Sequence, residues 1–168
     1  MLNNLRKRIT SLRKLMHKNH IDCYILPHND EYLSEYVPPN KERLNWICGF
    51  SGSAGSLLVT FEKLFLFTDG RYILQAKHET KGLGCEIINI SDESLYNFLK
   101  KNHFKFKQVG IDSKIISRSD YLHLKQAIYE TDLKIKTINH ILIDYLWKRE
   151  TKVQNIEKIF FLSNKYTG

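Results

Sequence analysis

The sequence predicts an α/β domain whose sheet is largely covered on both faces. Apolar runs of strand length recur along the chain, and helical patterns of about 10 to 15 residues separate most of them. The 168 residues, 42% of them hydrophobic, suffice to bury a core without disulfide or metal staples.

The elements follow in order. Leu5, Ile9, Leu12 and Met16 recur at helical spacing with Arg6, Arg13, Lys14 and Lys18 between them, which predicts an amphipathic helix of about four turns. The apolar run 21–26, ended by Pro27, predicts a buried strand. Three prolines, Pro27, Pro38 and Pro39, and many polar residues make 27–46 an ordered or half-helical connection, with Trp46 and Ile47 returning to the core. Leu57–Thr60 and Leu64–Phe67, around Glu62-Lys63, predict a hairpin. From Arg71 to Lys81 the pattern is helical, with Ile73, Leu74 and Ala76 available for burial and Gly82 and Gly84 as stops. Strand 85–90, helix 92–102, strand 107–111, helix 119–129 opened by Ser117 or Ser119, strand 133–138 and helix 140–148 complete the alternation. The first domain is expected over 1–149. Residues 150–168 read as a linker and the start of a second domain, with Ile159–Leu162 beginning a strand that is expected either to continue into further polypeptide or to dock on another one.

Composition narrows the function classes. No run is long and apolar enough to span a membrane, and no secretory leader follows Arg6, Lys7 and Arg8, so a cytoplasmic protein is expected. Cys23, Cys48 and Cys85 lack metal-ligand spacing and are expected to be reduced, mostly buried thiols. The net charge of +8 invites an anionic partner, but lysines occur in every segment. That distribution reads as a solvated surface, and nucleic acid is not expected.

Several motifs invite chemistry. GFSGSAGS (49–56) lacks the Gly-Lys-Ser/Thr ending of a phosphate loop and precedes a strand where a dinucleotide fingerprint requires a helix. Neither Ser51 nor Ser53 sits in Gly-x-Ser-x-Gly, so a tight turn whose glycines supply positive φ or close approach is expected. His28, Asp30, Glu31 and Glu35 have the right donor chemistry for a cation without a recognised ligand spacing. Asp22, Asp69 and Asp112, each at a strand end, raise a two-metal nuclease as a remote reading. In FTDGRY (67–72), Asp69 is expected to cap the following helix and Gly70 to supply a tight backbone.

Four blocks in order then carry a resemblance: IDCYILP (21–27), DEYLSEYVPP (30–39), ERLNWICGFSGSAGS (42–56) and FTDGRYILQA (67–76). Together they resemble the N-terminal domain of Xaa-Pro aminopeptidases of the aminopeptidase P type, in the creatinase/prolidase superfamily. NHILIDYLW (139–147) and KYTG (165–168) extend the resemblance over nearly the whole chain. It implies a mixed β-sheet flanked by helices with a ribonuclease-H-like path, followed in the full enzyme by a catalytic domain that holds Mn2+ or another divalent pair and releases the residue preceding proline. The family's metal-binding blocks do not occur here, so the resemblance implies no catalytic or metal residue in this chain and no cleavage by the chain alone.

The same resemblance implies partners: the catalytic C-terminal domains of the same enzyme, a second copy of the chain, and a peptide with proline second. It places Arg71 and Tyr72 near substrate at a catalytic entrance, with bracing by a local acid as the alternative for Arg71. Gly49, Gly52, Gly55, Asp69 and Gly70 are its structural motif residues, and Tyr32 replaces a histidine frequent in relatives. A free-standing relic or basic binding module is the second reading, and a small hydrolase using Ser51 or Ser53 the third.

Overall fold

Helix α1 (Leu2–Lys18) lays its predicted stripe, Leu5, Ile9, Leu12 and Met16, on the core. The structure, a computed structural model, describes residues 2–149 and 164–166; the expected linker 150–158 and strand 159–162 lie outside the described residues. After α1 come β1 (Cys23–Pro27), helix α2 (Arg43–Cys48), β2 (Ser56–Thr60), β3 (Leu64–Thr68), helix α3 (Ile73–Glu79) and β4 (Cys85–Asn89). Helix α4 (Leu95–Lys101), β5 (Gln108–Asp112), helix α5 (Arg118–Ala127), β6 (Lys134–Ile138) and helix α6 (Leu142–Leu146) follow.

The strands form one mixed sheet in the order β4-β3-β2-β1-β5-β6. Only β2 runs antiparallel to its neighbours β1 and β3; the β1–β5, β5–β6 and β3–β4 pairs are parallel. The C-terminal ends of β1, β3, β4, β5 and β6 therefore share one edge of the sheet, where β2 begins.

Alternation along the strands explains the two-sided core. Tyr24, Leu26, Leu57, Val59, Leu64 and Leu66 face the cluster completed by α1, α2 and α6. Cys23, Ile25, Leu58, Phe65 and Phe67 face the opposite cluster, completed by α4 and α5. Burying 150 to 250 Å2 per aromatic ring would be typical of the large residues here; Tyr24, Phe50 and Phe67 are all almost wholly enclosed.

Several expectations need correction. The strand runs on through Pro27, which pairs with Ser56 at its last position. The connection from 28 ends in α2, whose C-terminal Gly49 adopts φ 82° and donates to Asn45 O. Helix α3 is shorter than predicted and is preceded by a 3-10 turn at Gly70–Tyr72. It buries Ala76 alone, while Leu74 is 81% exposed, because seven residues present one narrow face to the sheet. Ser117, not Ser119, caps α5, and α6 is only five residues long. The expected stop at Gly82 and Gly84 comes earlier: α3 ends at Glu79 with Thr80 as its cap, and the two glycines take positive φ in the turn that follows. All three cysteines are free thiols, two of them buried.

Candidate functional site

The two glycine motifs meet at the shared strand-end edge. Thr68, the last residue of β3, donates its hydroxyl to Ala54 O at 2.6 Å and fastens the 49–56 loop to the strand. Asp69 then accepts the Arg71 N–H at 2.9 Å and caps the 3-10 turn. The same carboxylate holds the Arg71 guanidinium by Nε at 3.1 Å and Nη2 at 2.8 Å. Arg71 itself remains 75% exposed in its side chain and stands over the Tyr72 ring. The hydrogen bond from Arg71 holds Asp69 below its ordinary carboxylate range.

Tyr72 joins the motifs directly. Its hydroxyl lies 2.7 Å from Ser53 Oγ, and its ring packs edge-on against Phe50. Ser51 gives both its N–H and its hydroxyl to Glu79, at 2.9 and 2.7 Å, while Gln75 donates to Ser51 Oγ and to Glu79. Neither serine has an imidazole among its partners, so neither is set up as a nucleophile. Glu79 and Gln75 were not singled out in the sequence; only their helical spacing after the motif hints that they return to it.

The glycines divide by physical cause. Gly49 needs the left-handed region. A Cβ on Gly52 would lie 2.3 Å from Phe50 Cζ and 2.8 Å from Tyr72 Cδ1, and one on Gly55 3.1 Å from Phe50 Cε1. Phe50 thus fills the space their missing side chains leave. Gly70 is different: it lies outside the positive-φ set, and a Cβ there would meet nothing within 4 Å. The turn is made by Asp69, and no steric need for glycine at 70 is visible.

Beside this rim an open cleft of about 480 Å3 runs between Ser53 and Asp69 on one side and Tyr96 and Asp120 on the other, over Pro27 and Leu95. It lies outside the carboxyl ends of the parallel strands, the usual place for ligand crevices in open α/β sheets.

The remaining candidate carboxylates are engaged elsewhere. Asp30 accepts the N–H groups of Tyr32 and Ser34, which outweigh burial and hold it below its ordinary range. Glu31 is bound by Lys41 and Arg43. Asp22 stands at the opposite edge of the sheet and accepts from Lys107 N and Gln108 N. Asp112, on β5, receives the Tyr24 hydroxyl. No group of three or more His, Cys, Asp or Glu residues is arranged to hold an ion among the described residues. These donors therefore do not fit a metal pair, and Asp22, Asp69 and Asp112 do not converge.

A buried ionic cluster does exist, and no local motif marks it, because its members lie up to 101 residues apart. Arg43, 1% exposed, bonds Asp144 through Nε and Nη2 at 2.9 Å each and Glu31 through Nη2 at 2.9 Å. Burial pulls Arg43 down, but the two carboxylates more than offset it and keep its proton firmly held. Arg149 also binds Asp144, through the same oxygen that accepts from Arg43 Nε. Nearby, burial pushes the Asp112 carboxyl up to about 7 despite the opposing Tyr24 hydrogen bond.

Comparison with known proteins agrees with this architecture. A family model of the Creatinase/Prolidase N-terminal domain matches residues 8–143. The chain is 32% identical over 167 residues to a probable Xaa-Pro aminopeptidase P of Laccaria bicolor, covering 98% of this chain and 26% of that protein. It is 35% identical over 172 residues to Xaa-Pro aminopeptidase 1 of Dictyostelium discoideum, covering 96% and 27%. The chain thus spans about a quarter of the length of these curated relatives. In fold it is similar to an X-prolyl aminopeptidase of Caenorhabditis elegans, described as a cytosolic enzyme with a di-nuclear active site, with TM-score 0.77 and 22% identity over 85% of this chain and 25% of that one. It is also similar to the N-terminal domain of the cytoplasmic peptidase PepQ of Mycobacterium tuberculosis, with TM-score 0.65 and 20% identity over 84% and 98% of the two chains. A match across most of the residues, with relatives above 30% identity along nearly the full sequence, makes this chain a member of the Creatinase/Prolidase N-terminal domain family.

Proposed function

We propose that this chain acts as the non-catalytic N-terminal domain of an Xaa-Pro aminopeptidase, shaping the substrate entrance and the contacts between subunits. The observation that carries the reading is the alignment of almost the whole chain with about a quarter of relatives named for that activity. In this reading the divalent pair, Mn2+ or another, is held outside this domain, and the enzyme works in the cytoplasm. No described helix is long and apolar enough to cross a membrane.

The rim supplies this domain's part. Asp69 fixes the Arg71 fork, so little side-chain freedom is lost when the guanidinium meets a peptide carbonyl or carboxylate. Nη1 makes no hydrogen bond among the described residues and is the group offered to substrate. Tyr72, anchored to Ser53 and Phe50, keeps the arginine at the edge of the sheet. Bracing by Asp69 and contact with substrate are then successive uses of one side chain.

The test is release of the first residue from an Xaa-Pro peptide with Mn2+, by this chain alone and mixed with the separately produced catalytic domains. Activity confined to the mixture is expected. Activity of the chain alone, or none in a mixture whose parts are shown to be folded, overturns the reading.

A further inference from the structure

The positive charge of this protein is gathered on one helix. The first 21 residues hold Arg6, Lys7, Arg8, Arg13, Lys14 and Lys18 and no acid, whereas the rest of the chain carries 20 cations against 18 acids. Six of the eight net charges therefore sit on α1. The even spread of lysines noted above concealed this, because beyond α1 the acids nearly balance them.

The structure separates these six by task. The arginines are turned onto backbone carbonyls: Arg6 to Gly82 O at 2.7 Å, Arg8 to Trp46 O at 2.6 Å and Arg13 to Thr60 O at 2.8 Å. They lock the helix to three other parts of the domain. The lysines are exposed and have no ion-pair partner among the described residues. At 100° per residue, positions 7, 14 and 18 fall within about 40° of one another, opposite the buried stripe, with steps of about 10 and 6 Å along the axis. Lys7, Lys14 and Lys18 thus form a straight row on the outermost line of a rigidly held rod.

We propose that this row is a docking surface for the phosphate backbone of a nucleic acid, bound without sequence specificity. A straight line of ammonium groups on the outer edge of a rod can lie along a phosphate backbone, neutralise several of its charges and release their counterions. Asn3 and Ser11 flank the same line and add the neutral donors common at phosphates. A lipid surface fits less well. None of the apolar residues of α1 is exposed, so nothing on this face enters the bilayer, and a rod touches a plane along one line only. The surface is independent of the proposed catalytic entrance, and its test uses no peptidase readout.

The experiment measures anisotropy of a labelled mixed-sequence duplex of about 20 base pairs with the full chain, between roughly 50 and 200 mM salt. Changing Lys7, Lys14 and Lys18 together to Gln should lower affinity about tenfold or more and reduce the slope of log K against log salt by about three. Changing all three to Arg should retain both, which separates charge from folding. The same Gln change at Lys100, Lys101 and Lys105 should shift affinity no more than about twofold. The proposal is overturned if the duplex does not bind, if the two Gln triples behave alike, or if vesicles rich in phosphatidylserine or a poly-glutamate chain bind the row and the duplex does not.

Discussion

Arg43 and Asp144, 101 residues apart in sequence, face each other through two hydrogen bonds of 2.9 Å, with the guanidinium 1% exposed. The pair ties α2 to α6, and Glu31 extends it to the loop that displays Tyr32 and Tyr36, both more than 80% exposed. Deleting the cation would leave Glu31 and Asp144 close together with only Lys41 and Arg149 as partners, both carboxylates being partly exposed. Arg43→Met should therefore cost about 2 to 3 kcal/mol in urea unfolding, below the range for a fully buried, uncompensated charge. Arg43→Lys should recover only part of that, since an ammonium cannot replace the bidentate fork.

The Tyr24–Asp112 contact predicts a pH dependence. Burial pushes the Asp112 carboxyl up to about 7 in the fold, from an ordinary carboxylate value near 3.8. A group raised in this way favours folding in its protonated form. Its contribution is complete below about pH 4 and is lost as pH rises through 7, with a ceiling of about 4 kcal/mol. Asp112→Asn, which still accepts from Tyr24, should raise Tm relative to the parent more at pH 8 than at pH 4. Equal shifts at both pH values would refute the assignment.

Gly52 and Gly70 should separate cleanly. Alanine at 52 drives its methyl into Phe50 and Tyr72, and a loss of about 1 to 3 kcal/mol is expected from the forced repacking. Alanine at 70 meets open space and should fall within about 0.5 kcal/mol of the parent. Chemical denaturation of the two variants side by side checks both.

At the rim, Arg71→Ala in the assembled enzyme should raise KM several-fold with a smaller change in kcat, as expected when binding shared by ground and transition states is removed. Unchanged kinetics with a lower Tm would reduce Arg71 to a brace for Asp69. Asp69→Asn, which weakens the fork but leaves the guanidinium in place, should act in the same direction and more weakly.

The only two tryptophans, Trp46 and Trp147, stack with centroids 5.5 Å apart and planes 17° from parallel. Arg8 and Arg149 cover the outer faces at 4.4 and 4.3 Å. Coupled indoles should give an exciton couplet in the circular dichroism of the folded chain that either single Trp→Phe change abolishes. Stability should fall by roughly 0.5 to 1.5 kcal/mol beyond the loss of buried area.

The elements of this protein were written into local pattern. The stripe from Leu5 to Met16, the apolar runs at 57–60 and 64–67, and the glycine turn at Gly82 and Gly84 act over a few residues, where local backbone geometry and burial decide. The four motif blocks likewise pointed to the family through residues near one another in sequence. Tertiary structure alone decided the long-range partners: that Phe50 is what requires glycine at 52, that Glu79 receives Ser51, that Asp112 is held by Tyr24, and that Arg43 reaches Asp144. It also decided that Gly70 has no steric duty and that three of the six cations on α1 are turned onto carbonyls while three lysines stand free in a row. Periodicity tells a side chain which face it occupies, but the atom it meets there comes from chain up to a hundred residues away and is chosen only when the sheet order brings them together.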